Sequence, residues 1–363
     1  MVTATAIENA SILRVKPWLL DSVFDKLRKQ VKAGIVPAAA LAVGDEEGEI
    51  RSETFTSDRR PIHDSSFFFL ASLTKPIFAT AFMQLVEEGH LGLYDPICTY
   101  IPEFGAGPKA EISPWHLLTH TSGVADLEPE VIRRMRPSAA QMTSMVLEAP
   151  LRFPPGTRWE YCSASFYLLG LLIERVARMP YREFLQKRLV APLGMNTTFD
   201  PRGAGRPIVP VHGAGVDNRL TRFFVLRYMA GAALPGGGLF GTVSDLMRFG
   251  AATLAPRVVQ GRHLPLAPQT IDHMSLDHTR GLPGTVEGEL RPVHFGLGWG
   301  KPTLMRDVPG SARVISHGGA SGTRLWIDPE VGLVVAYLTN RWWADREPEN
   351  DAVVGTYRSM KLT

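Results

Sequence analysis

Cysteine is nearly missing from this chain. Two thiols in 363 residues, Cys98 and Cys162, with no C-x-x-C spacing, leave nothing for a disulfide framework or a cysteine-type metal centre. No stretch approaches the eighteen or so consecutive apolar residues of a membrane span. Met1 to Lys16 lacks the basic start and apolar run of a secretory leader. Neither sign of charge dominates: 39 Lys and Arg stand against 36 Asp and Glu, a formal +3, and no basic block forms a nucleic-acid footprint. G-x-S-x-G is absent, which excludes the strand–turn–helix elbow of α/β-hydrolases. There is no internal repeat and no low-complexity tract. What remains is the expectation of a cytoplasmic globular protein with neither a nucleic-acid nor a membrane partner. The sequons at Asn9 and Asn196 are discounted for want of a secretory route. Apolar residues at 45% and charged ones at 21% suffice for a large core, in two domains or one large one.

The most informative stretch present is Leu70-Ala71-Ser72-Leu73-Thr74-Lys75. After it, Leu73, Ile77, Phe78, Ala81, Phe82, Leu85 and Val86 recur at helical spacing, and Gly89 suits the position just past a helix end. Ser72 and Lys75, three apart, are neighbours in the first turn. A serine hydroxyl needs a base within hydrogen-bond reach to act as a nucleophile. A lysine among apolar walls near the positive end of a helix dipole is expected to lose its proton more readily and so to serve. The pair fits acyl transfer. S-x-x-K also occurs by chance, and serine often caps helices, so the partners decide.

Around this stretch the spacing predicts a helix from Pro17 to Lys32 and two antiparallel strands, Ala38–Val43 and Ile50–Phe55. Short helices follow at 114–120, Phe166–Arg178 and Tyr181–Leu189, and another after Pro235-Gly236-Gly237-Gly238 with Ser244 as its cap. Residues 124–149 read as an exposed excursion and 201–220 as a loop. Strand character returns at Phe295–Trp299, Ala312–Ser316, Leu325–Ile327 and Leu333–Thr339, with a last helix within 350–360. Strands at both ends and helices between predict an α+β fold: one antiparallel sheet assembled from the two termini, packed by the first and last helices, and a mostly helical second domain. We expect residues 1–70 and 291–363 in the sheet domain, 71–290 in the helical one, and the cleft between them.

Three stretches offer partners. Trp159-Glu160-Tyr161-Cys162-Ser163 supplies a phenol that can shuttle a proton, or a half-buried aromatic before a helix. Ser316-His317-Gly318-Gly319-Ala320-Ser321-Gly322 is small enough for close backbone approach and an oxyanion site, or is a glycine-rich hairpin turn. His120, in His120-Thr121-Ser122-Gly123, is a base or a structural histidine. Ser72 with His120 or His317 as base is the competing arrangement.

In order and spacing, Ser72-x-x-Lys75, Tyr161-Cys162-Ser163 and His317-Gly318-Gly319 resemble the three motifs of the serine β-lactamase/penicillin-binding-protein superfamily. Leu117 to Gly123 and Gly237 to Leu246 are similar to stretches of its class C β-lactamase-like branch, which includes the family VIII carboxylesterases. The likeness runs from about Leu27 to Thr339. It implies the β-lactamase/transpeptidase fold, acylation of Ser72 with Lys75 as base, and proton relay by Tyr161. It also implies an oxyanion hole from the N–H groups of Ser72 and Ala320. Trp159, Ser163, His317, Gly318 and Gly319 would shape the pocket, with no cofactor and no metal. Two departures bear on substrate: Ser163 stands where class C enzymes commonly have Asn, and His317 where they commonly have Lys. Losing a charged hydrogen bond costs roughly 1.5–3 kcal/mol, so anionic β-lactams are expected to be poor substrates. The expected activity is hydrolysis of small neutral esters through an acyl-enzyme. The alternatives are an acyltransferase, a weak β-lactamase or D-amino-acid amidase, and a non-enzymatic binding protein. The partner in each catalytic case is a small-molecule acyl donor.

Overall fold

The computed structural model describes residue 15 and residues 17–57, 61–213, 215, 217–259, 261–286, 288–305, 308–342 and 347–360. The leader reading of Met1 to Lys16 and the Asn9 sequon lie outside the described residues, Val15 excepted. No helix among them is long and apolar enough to cross a membrane.

A short 3₁₀ turn, Pro17–Leu20, leads into α1, Asp21–Lys32, whose Val23, Phe24, Leu27 and Val31 form one buried stripe. Two strands follow, β1 (Ala38–Asp45) and β2 (Gly48–Thr56). Three more come from the far end of the chain: β3 (Ile315–Gly319), β4 (Thr323–Asp328) and β5 (Leu333–Thr339). They form one antiparallel sheet ordered β3-β4-β5-β1-β2, with β5 at its centre paired Leu41 to Tyr337 and Val43 to Val335. Central position explains why β5 reads as a continuous apolar run: every one of its residues is buried.

Strand periodicity sorts the two faces. Ala39, Leu41, Val43, Val335 and Tyr337 point into one cluster with α1 and the C-terminal helix Glu347–Met360. Ala38, Ala40, Ala42, Val334 and Ala336 point into the larger core. That face is lined with small residues because a helix lies close on it. The helix is Val243–Leu254, where a side chain on Gly250 would come within 2.5 Å of Val334. The sheet with its terminal helices matches the expected architecture.

Four helices matter for the site: α2 (Thr74–Glu87), α3 (Pro129–Met135), α4 (Ala164–Ala177) and α5 (Arg219–Ala232). α2 is buried on all sides from Thr74 to Leu85, more than its one-faced spacing predicts, because it packs against both α4 and the short helix Tyr181–Leu185, with Phe78 edge-on to Tyr181. It ends at Glu87, and Gly89 takes the left-handed conformation, φ +73°.

Several local expectations need correction. The 124–149 excursion holds two helices, α3 and Ala139–Glu148, the latter sending Met142 and Val146 into the core. The 201–220 loop gives way at Arg219 to the fourteen-residue α5, which the spacing does not announce. Ser244 does not cap its helix. Thr242 does, accepting from the Asp245 N–H at 3.1 Å while the Asp245 carboxylate accepts from the Thr242 N–H at 3.0 Å. In 295–299 only Phe295 makes an isolated bridge, to Gly300, and no strand forms there; the strand expected at 312–316 begins at Ile315. His317, Gly318 and Gly319 therefore lie within a strand, and the turn comes only after them.

Candidate active site

The backbone entering Ser72 is held from two sides. Phe68 and Phe69 pair with Gly241 and Phe240, and the Leu70 N–H donates to Leu239 O at 2.9 Å. From the sheet, Ser321 Oγ donates to Phe69 O at 2.6 Å and Thr323 Oγ1 to Leu70 O at 3.0 Å. Ala71 then takes φ +48°, a left-handed conformation costing an L-residue roughly 1–2 kcal/mol. Ser72 sits in a 3₁₀ turn, Ala71–Leu73, immediately before α2 rather than inside its first α-turn. The surrounding hydrogen bonds hold that bend; Thr74 Oγ1 donates to Ala71 O at 2.7 Å and accepts from the Leu239 N–H at 3.1 Å.

Lys75 is completely buried. Its Nζ donates to Gly236 O at 2.6 Å, to Ser163 Oγ at 3.2 Å and to Ser72 Oγ at 3.4 Å. The Ser72 contact is the longest of the three. The amine lies 4.6 Å from the Tyr161 ring centroid and 5.4 Å from that of Phe166. Ser163 is fixed by the Asp126 carboxylate, which accepts from the Ser163 and Ala164 N–H groups at 2.9 Å each, at the positive end of α4. Gly236 packs closely, since a Cβ there would stand 3.2 Å from Ser163 O and 3.4 Å from Lys75 Nζ. Asp126 and the Gly236 carbonyl are the two contributors that the sequence reading missed. Asp126 carries no local signal, while the run 235–238 shows only as punctuation before a helix.

Opposite Ser72 stands β3. A Cβ on Gly319 would fall 2.4 Å from Leu70 O and 2.3 Å from Thr323 Oγ1, so only glycine lets the strand lie this close. Ala320, at the turn after β3, lines the cleft on both sides of Ser72. His317 Nδ1 contacts Gly318 O at 2.8 Å, and burial, then the neighbouring Lys75, push its pKa down to about 3. His317 is therefore uncharged near neutral pH. His120, φ +59° and wholly buried, packs 4.5 Å from the Tyr161 ring, and its Nδ1 accepts from the Cys162 N–H at 3.2 Å. Burial first, with Lys75 and His317 adding to it, holds its pKa well below the ordinary histidine value. Among the described residues, the side chain hydrogen-bonded to the Ser72 hydroxyl is Lys75; neither histidine touches it. Trp159, packed with Val293 and Phe295, backs Tyr161 at 6.3 Å between ring centroids. Burial raises the Cys162 thiol to about 12, so it is an inert part of the wall.

The cleft has two arms meeting at Ser72, Tyr161 and Ala320. One, about 420 Å³, runs along β3 past Trp159, Phe295, Arg291 and the Arg324–Glu349 ion pair. The other, about 860 Å³, runs under α5 between Phe69, Leu127, Met142, Val225, Leu226 and Met229. The described residues form no cluster of three or more His, Cys, Asp or Glu that would hold a metal ion.

Against known proteins, a family model described as Beta-lactamase matches residues 23–357. Esterase EstB of Burkholderia gladioli is 29% identical, covering 93% of this chain and 93% of that protein. Among solved structures, EstCE1, described as a hydrolase with promiscuous acyltransferase activity, superposes with a TM-score of 0.76 at 19% identity. That match covers 94% of this chain and 99% of the other. Simvastatin synthase (LovD) from Aspergillus terreus gives 0.75 at 22% identity, over 96% of this chain and 100% of that one. At these identities the structural likeness is one of fold.

Proposed function

The chain belongs to the beta-lactamase family, and from that premise we propose that it is a serine hydrolase acting as a carboxylesterase on neutral esters. The carrying observation is the Lys75 amine, fully buried and held by Ser163 and Gly236 within 3.4 Å of the Ser72 hydroxyl. In this reading Lys75 takes the Ser72 proton as Oγ attacks the ester carbonyl. The N–H groups of Ser72 and Ala320 hold the tetrahedral oxyanion. Collapse breaks the acyl–oxygen bond, and the leaving alkoxide takes its proton through Tyr161 and Lys75. Water then attacks the acyl-enzyme with the same groups as base, releasing the acid and restoring Ser72. The cleft lies between the sheet half and the helical half, which we take as the two domains.

Uncharged His317 and the self-compensated Arg324–Glu349 pair support neutral over anionic substrates. The 860 Å³ apolar arm has room for a bulky group, so the substrate need not be small. Intact-mass measurement over a panel of p-nitrophenyl esters and lactams tests the reading. A single acyl adduct that vanishes in Ser72→Ala is expected from the esters and not from nitrocefin. No adduct, or one surviving that substitution, overturns it.

A second reading, acyl transfer, is favoured by the two arms meeting at Ser72, one able to hold an acyl group while the other admits an acceptor alcohol or amine. Transfer outrunning hydrolysis when acceptor alcohols are added would replace the esterase assignment.

A further inference from the structure

α5 is apolar on two sides. Val225, Leu226 and Met229 face inward over the larger arm. Leu220, Phe223 and Phe224 face solvent at 65%, 53% and 44% exposure. A soluble helix normally turns its second face polar. α3 adds exposed Val131 and Met135, and the two helices are tied together: Arg136 lies 6.0 Å over the Phe224 ring, and Tyr228 Oη donates to Pro137 O at 3.4 Å. Five of the fourteen exposed large apolar side chains among the described residues thus belong to two linked helices beside one cavity mouth.

Charge accompanies this face. α5 carries Arg219, Arg222 and Arg227 and no acidic residue, and Arg134 and Arg136 are exposed at the end of α3. The exposed acids Asp217 and Glu128 lie just before the two helices. Phenylalanine and leucine flanked by arginine is the composition that settles in the headgroup region of an anionic lipid layer. No helix among the described residues is long and apolar enough to cross a bilayer, and adsorption of a helix face requires none.

We infer that the outer face of α5, with the end of α3, is a docking surface for an anionic lipid–water interface, from which apolar esters enter the arm beneath α5. The substrate half of this inference rests on the esterase reading; the docking half does not. The test is flotation with phosphatidylglycerol–phosphatidylcholine vesicles against pure phosphatidylcholine, using the full chain and the Ser72→Ala variant. Both proteins are expected to float with the anionic vesicles and to be released by salt. Leu220→Ser/Phe223→Ser is expected to weaken vesicle binding about tenfold to a hundredfold, with turnover of a water-soluble short ester unchanged. Arg219→Gln/Arg227→Gln should weaken it about tenfold or more. If neither vesicle binds, or if the Leu220/Phe223 variant binds as well as the parent, the inference falls. It falls equally if light scattering shows a dimer that this variant dissociates, since a second copy would then cover the face. Vesicle binding without ester turnover would retain the surface and remove the esterase assignment instead.

Discussion

The two walls facing Ser72 are built on opposite principles. The β3 wall is fixed by backbone pairing, by hydroxyls clamping the Phe69 and Leu70 carbonyls, and by a glycine that admits no side chain. The α5 wall is held by apolar contacts and a few long hydrogen bonds, and its outer side exposes Leu220, Phe223 and Phe224. Reacting atoms tolerate errors of only fractions of an ångström, whereas an apolar pocket tolerates a methylene either way. The paired, clamped wall fixes the backbone that enters Ser72, and the wall of helices is left to shape the apolar arm.

That contrast can be broken at several points. Lys75→Ala should cost the most, at least about a thousandfold in kcat for a p-nitrophenyl ester with KM little changed; stopped-flow kinetics retaining a near-normal rate would return the base to a histidine. Gly319→Ala should cost about a hundredfold in kcat, because the new methyl would displace the clamp on Leu70 by meeting its carbonyl at 2.4 Å. The rigid wall also carries a pH liability. His317 is neutral in the fold down to about 3 but titrates near 6.5 when unfolded. Its contribution is intact above pH 6.5 and is lost as pH falls from there toward 3, by at most about 1.4 kcal/mol per pH unit. Buried His120 acts in the same direction. Urea midpoints across that range should fall less steeply in His317→Gln. The helical wall should respond most mildly. Leu226→Trp is expected to raise KM for a long-chain ester about tenfold while a short one changes less than about twofold, and equal effects on both would mean the arm does not hold the chain.

Legibility in sequence divides along the same line. Ser72 and Lys75 are three residues apart on one helical turn, so their proximity is local and readable; the glycines after His317 mark a close approach wherever they fall. Which strand is central was not readable, because Ala38–Val43 and Leu333–Thr339 are both unbroken apolar runs and only the pairing separates them. Asp126 and Gly236 were not readable, because they reach Ser163 and Lys75 across 37 and 161 residues with no pattern connecting them. α5 escaped because apolar residues on both its faces erase the helical period that would announce it. The strand edges near 295 and 312 shifted because short apolar runs say nothing about whether a partner strand lies alongside.

The seam between β1 and β5 joins the chain's beginning to its end, and the hydroxyls that clamp Phe69 and Leu70 come 252 and 253 residues later. During synthesis, then, the serine emerges from the ribosome long before the wall opposite it exists. The sheet cannot close until Leu333–Thr339 has been translated. A product stalled or clipped before Leu333–Thr339 is expected to be inert rather than partly active, because the wall opposite Ser72 would be missing.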